Sequence, residues 1–96
     1  MKHLGAGTPI SDVIALSGGF NTVQGNSGTD SITATGGTNV IDAGTENDTV
    51  LLNNGTNTVN AGAGDDSITA SGGTNTIATD AGANTVVLAG GTNSVT

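Results

Sequence analysis

One β-branched apolar position returns along the chain at a constant interval of nine residues: Ile14, Val23, Ile32, Ile41, Val50, Val59, Ile68, Ile77, Val86 and Val95. Two residues before each of them stands Asn or Asp, namely Asp12, Asn21, Asp30, Asn39, Asp48, Asn57, Asp66, Asn75, Asn84 and Asn93. Between these columns the chain is almost entirely Gly, Thr, Ser, Asn and Ala. A long period kept without insertion is the mark of a repeat architecture. Each unit predicts a turn of about six residues and then a strand of about three, whose central residue points inward. Two units make a coil of eighteen, and coils stack at about 4.8 Å, the spacing of hydrogen-bonded strands. A single unit cannot bury its apolar residue, whereas a stack can. The pattern therefore predicts an all-β chain: a right-handed parallel β-roll or β-helix solenoid of 18-residue coils, each of two nine-residue units. Residues 1–8 are expected as an N-terminal cap or irregular segment, and residues 9–96 as a repeat domain of about five coils.

Composition narrows the chemistry. The one Phe is the only aromatic residue, so the core must be thin, and with no Cys there is no disulfide or thiolate chemistry. So polar and repetitive a chain could be disordered, but the unbroken apolar column argues for folding. No run is apolar enough for a membrane span. Lys2 and His3 are followed by GAGTP, where a classical signal peptide would have its apolar stretch. Eight acids against one Lys give a net charge of -7, which repels nucleic acid and anionic membranes and favours cations or neutral surfaces as partners. An enzyme is not expected. His3 is the lone His and lies in the segment before the repeats, the hydroxyls have no base beside them, and the adjacent Asp65 and Asp66 alternate in direction.

Two stretches carry a family likeness: AGAGDDSIT at 61–69 and GNSGTDSIT at 25–33. Both resemble the G-G-x-G-x-D-x-U-x motif of the RTX nonapeptide-repeat proteins, in which U is a large apolar residue. The resemblance implies a parallel β-roll whose Gly-rich turns bind Ca2+ between coils through Asp carboxylates and backbone carbonyls. It also implies an extracellular or cell-surface location. Alternate units depart from the motif, reading ATGGTN, LNNGTN, ASGGTN and LAGGTN, with Asn in place of Asp.

Sorting charges by edge sharpens the picture. The turns at 7–12, 25–30, 43–48, 61–66 and 79–84 share one edge and hold Asp12, Asp30, Glu46, Asp48, Asp65, Asp66 and Asp80; the opposite turns carry no charge. Stacked one coil apart, Asp12, Asp30, Asp48 and Asp66 repel unless a cation intervenes. Calcium suits such a site because it accepts carboxylate and carbonyl oxygens in flexible geometry. Candidate sites lie between Asp12 and Asp30, Asp30 and Asp48, and Asp48 and Asp66, with a weaker fourth between Asp66 and Asn84. The same acids could instead serve as solvated, metal-free turn formers.

On the neutral edge, stacked Asn amides can hydrogen-bond along the axis without an ion. The row Thr38, Thr56, Thr74 and Thr92 could bind ice, although Phe20 interrupts it. The Ser31, Thr33, Ser67 and Thr69 array is broken by Leu51 and Val87. Repeats run to Val95 and Thr96, and an open strand edge is a template for another chain. Head-to-tail stacking would then pair the strand around Val95 with the next copy's strand around Ile14, and set Asp12 above Asn84. These features describe a calcium-binding extracellular structural protein that self-associates end to end into filaments or matrix. The alternatives are a calcium-dependent ice-binding solenoid and an accessory module of a larger secreted protein.

Overall fold

The computed structural model describes residues 2–6 and 11–96, and the described residues contain strands and turns but no helix. In chain order the strands are β1 (Lys2–Ala6), β2 (Val13–Ser17), β3 (Phe20–Gln24), β4 (Ser31–Thr35), β5 (Thr38–Asp42), β6 (Thr49–Asn53), β7 (Thr56–Asn60), β8 (Ser67–Ser71), β9 (Thr74–Ala78), β10 (Thr85–Ala89) and β11 (Thr92–Val95). They form two parallel sheets, β1-β3-β5-β7-β9-β11 and β2-β4-β6-β8-β10. Pairing between successive coils holds an offset of eighteen residues, as in Ile32 opposite Val50 and Ile41 opposite Val59. This is a parallel β-solenoid of about five coils, as the periodicity predicts.

The two halves of a coil differ more than a ninefold period suggests. On one edge the strands are joined by two residues, such as Gly36 and Gly37; on the other they are joined by six, such as 43–48. The strands themselves are five residues long rather than three. The short turns demand left-handed backbone: Gly37 has φ of 73°, and a Cβ there would collide with the Gly19 carbonyl of the coil before. Asn54 takes the same left-handed conformation, φ 60°, at a place where other coils have Gly36 and Gly72.

Unequal turns give the sheets different inward faces. One buries the columns Ile32, Val50, Ile68 and Ala34, Leu52, Ala70; the other buries Asn39, Asn57, Asn75 alongside Ile41, Val59, Ile77. Alternation along each strand produces this, as in the out-in-out-in-out pattern of Ser31–Thr35 around Ile32 and Ala34. Each buried Val, Ile or Leu contributes about 1.5–3 kcal/mol. The interior is a single layer of side chains from each sheet, consistent with a short axis of 15 Å. Among the described residues no helix is long and apolar enough to cross a membrane.

At the N-terminus, Lys2–Ala6 adds a sixth strand beside β3, with Lys2 opposite Asn21 and a register shift before Ala6 meets Gln24. His3 therefore lies in a strand, opposite Thr22. The boundary expected between residues 8 and 9 lies outside the described residues. The strand around Val95 and the strand around Ile14 fall in different sheets. The junction expected between them must be corrected: continuing the coil would set Ile14 against Val86, and Val95 against Val23, whose outer edge β1 already pairs.

Candidate calcium-binding edge

The six-residue turns place Asp30, Asp48 and Asp66 immediately before β4, β6 and β8, with their side chains under the coil. They are almost wholly buried, at 1, 1 and 2 % exposure. One carboxylate oxygen of each has a fixed partner. Asp30 Oδ1 accepts the Asp12 backbone N–H, Asp48 Oδ1 that of Asp30, and Asp66 Oδ1 that of Asp48, all at 2.8 Å. Asn84 Oδ1 continues the series by accepting from the Asp66 N–H at 2.8 Å. The column is thus a side-chain-to-backbone ladder, which explains why every coil needs an Asx residue there.

The second oxygen is different. Oδ2 of Asp30, of Asp48 and of Asp66 is buried with no hydrogen-bond partner. A buried polar atom left unpaired costs about 1–3 kcal/mol, and more when charged. Burial accordingly pushes the Asp48 carboxyl up from 3.8 to about 6; the Asp30 N–H bond opposes this, and the negative charges of Asp30, Asp66 and Glu46 add to it.

Asn84 shows what the orphaned oxygens lack. Its Nδ2 donates to the Thr79 carbonyl at 2.9 Å and more weakly to the Gly82 carbonyl at 3.5 Å. Those carbonyls belong to residues five and two positions earlier. The equivalent residues are Gly25 and Gly28, Ala43 and Glu46, and Ala61 and Gly64 in the turns that end at Asp30, Asp48 and Asp66. There, repeat symmetry sets a carboxylate oxygen, instead of an amide hydrogen, against the same carbonyls. A Cβ on Gly25 would lie 2.7 Å from Asp30 Oδ2, so absence of a side chain keeps this space open. Carboxylate and carbonyl oxygens converging without a donor form the ligand set that a hard cation such as Ca2+ accepts. No three carboxylate or imidazole side chains converge among the described residues. Backbone carbonyls must therefore supply much of any shell.

Of the residues expected as ligands, the structure brings Asp12, Asp30, Asp48, Asp66 and Asn84 into one ladder. Asp12 is half-buried at its head, and Asn84 has its amide already engaged. Two further acids tie the turns together. Glu46 Oε2 accepts from the Gly28 N–H at 2.7 Å, and Asp65 Oδ1 accepts from the Ala83 N–H at 2.8 Å. Glu46 was legible as a departure, standing where neighbouring coils have Gly28, Gly64 and Gly82, and it holds φ of 79°. Asp42, the acid outside this edge, is exposed at the end of β5.

The opposite edge solves the same problem with amides. Asn21 Nδ2 donates to Asn39 Oδ1, Asn39 to Asn57, Asn57 to Asn75 and Asn75 to Asn93, at 2.7–2.8 Å. Each second hydrogen goes to the carbonyl three residues back, for example Asn57 to Asn54 at 3.0 Å. No ion is needed.

Fold and edge together define a parallel β-solenoid with cation-receptive turns on one side. A family model described as the RTX calcium-binding nonapeptide repeat (4 copies) matches residues 11–50 and 52–86. The chain belongs to that family, whose repeats bind calcium. No curated protein and no solved structure matches it significantly.

Proposed function

We propose that the protein is a structural, non-catalytic calcium-binding β-roll module that works outside the cell, with cations held at the Oδ2 atoms of Asp30, Asp48 and Asp66. The observation that carries this reading is the contrast between those three orphaned oxygens and the satisfied amide of Asn84. Calcium would supply positive charge to carboxylates that burial otherwise destabilises, so loading the edge and folding it are one process. Each site has few carboxylates, which places it with weak sites of about 10⁻⁴–10⁻³ M, suited to extracellular calcium. The typical occurrence of RTX repeats in secreted proteins supports the same location.

Calorimetric titration with far-UV circular dichroism tests the assignment. Three calcium ions are expected to bind, and the engineered change Asn84→Asp should add a fourth by creating a new unpartnered oxygen. Melting unaltered by a chelator would refute the reading.

End-to-end association is a second reading, favoured by the polarity of the amide ladder. Asn21 Oδ1 is buried without a donor, while Asn93 Nδ2 donates to Gly90 O alone among the described residues. A second copy's Asn93 would complete the pair if β1 moved aside. Sedimentation in calcium should then show concentration-dependent growth that removal of residues 1–8 enhances; a monomer in both cases refutes it.

A further inference from the structure

The structure moves the threonine row off the turns and onto a sheet. Thr56, Thr74 and Thr92 open β7, β9 and β11, directly opposite one another in register. Two residues further along the same strands, Thr58, Thr76 and Ser94 form a second row, also in register. All six side chains are exposed on one face. Their rows repeat at about 4.8 Å along the stack and about 6.6 Å along the strands. Between them, Asn57 and Asn75 point inward and are locked in the amide ladder.

We propose that this outer face of β7, β9 and β11 binds ice. The inference goes beyond the calcium reading, which concerns the edge of the roll and not its sheet. Four features of the surface select this partner. The six-residue array carries no charge, which disfavours mineral surfaces and nucleic acid. It has no aromatic ring on which a sugar could stack; Phe20, at 61 % exposure, lies two coils away. It is rigid, because β-branched Thr is stiff at χ1 and its backbone is fixed by parallel pairing on an amide ladder. It is also periodic, and the shorter repeat is close to the lattice repeat in the basal plane of hexagonal ice. Five of the six nodes are Thr, presenting a methyl and a hydroxyl, and Ser94 presents a hydroxyl at the sixth, so water can be ordered over the methyls and anchored at the hydroxyls. The opposite sheet lacks this regularity: its central outward column reads Ala15, Thr33, Leu51, Thr69 and Val87.

The array stops at β5, where Val40, 50 % exposed, stands in the second row. This gives a test that leaves the fold undisturbed. Thermal hysteresis would be measured on the calcium-loaded, full-length chain, with folding checked by circular dichroism. The parent should show hysteresis, Val40→Thr should increase it by lengthening the array to four strands, and Thr58→Tyr should abolish it. Ser71→Tyr, on the other sheet, should leave it unchanged. A folded parent without hysteresis, or Thr58→Tyr and Val40→Thr both indistinguishable from the parent, would overturn the proposal. Hysteresis that persists in chelator with the fold intact would support the ice face while refuting the calcium reading, so the two can fail separately.

Discussion

Replacing Asp48 by Asn should raise stability strongly without calcium and much less with it. Asp48 is 1 % exposed, its Oδ1 accepts the Asp30 N–H, and its Oδ2 has no hydrogen-bond partner. The rise of its pKa from 3.8 to about 6 means that ionising it at neutral pH costs the native state about 3 kcal/mol. Asp48→Asn removes that charge, and by analogy with Asn84 its new amide can donate to the Ala43 carbonyl for about 1 kcal/mol more. For a domain of this size each kcal/mol is worth roughly 4–8 °C, so these two gains, about 4 kcal/mol together, should make the chelated variant melt roughly 16–32 °C above the chelated parent. In calcium the advantage should shrink, because the variant loses one of three sites, each worth about 2.7 kcal/mol at a hundredfold excess over its dissociation constant. Melting curves by circular dichroism at pH 7.5, with chelator and across a calcium series, read both effects. A chelated variant that melts at or below the parent would show that the orphaned oxygen is not a burden. An undiminished calcium response would show that Asp48 is not a ligand.

The same carboxyl sets a pH dependence: its folded pKa is raised, so its stabilising contribution is complete below 3.8 and is lost as pH rises to about 6. The chelated parent should melt higher at pH 4.5 than at 7.5, Asp48→Asn should flatten that difference, and a parent melting higher at 7.5 would contradict the assignment. On the neutral edge, Asn57→Asp keeps the acceptor for Asn39 but loses donations to Asn75 and Asn54, leaving a buried charge that costs about 3–5 kcal/mol. Calcium should not rescue it, since the two-residue turn offers too few carbonyls; full rescue would mean the two edges are chemically equivalent.

Much of the fold was legible before any coordinates, and for a physical reason. An uninterrupted apolar column with Asx two residues before it can be satisfied only by stacking, so Ile32, Ile41, Val50 and Val59 were identifiable as core and the coil length followed. The segregation of Asp30, Asp48 and Asp66 to one edge was equally visible, because composition differs between alternate units. What the nine-residue period concealed was the inequality of its halves. Turn lengths of two and six depend on where the chain finds left-handed backbone and cross-coil hydrogen bonds, and both Gly-rich turns look alike in sequence. That inequality puts Asn39 inside a strand and Asp30 at the end of a turn, though both occupy the same column.

The sequence by itself therefore determined the repeat, the stacking and the charged side, since these rest on residue type and spacing. Only the tertiary structure decided which atom of each Asx side chain goes unpaired and which Thr side chains share a plane. Both depend on how the coils stack and the turns close: Asn84 Oδ1 accepts from the Asp66 N–H eighteen residues away, while its amide reaches carbonyls of its own turn that a carboxylate in its place can only repel.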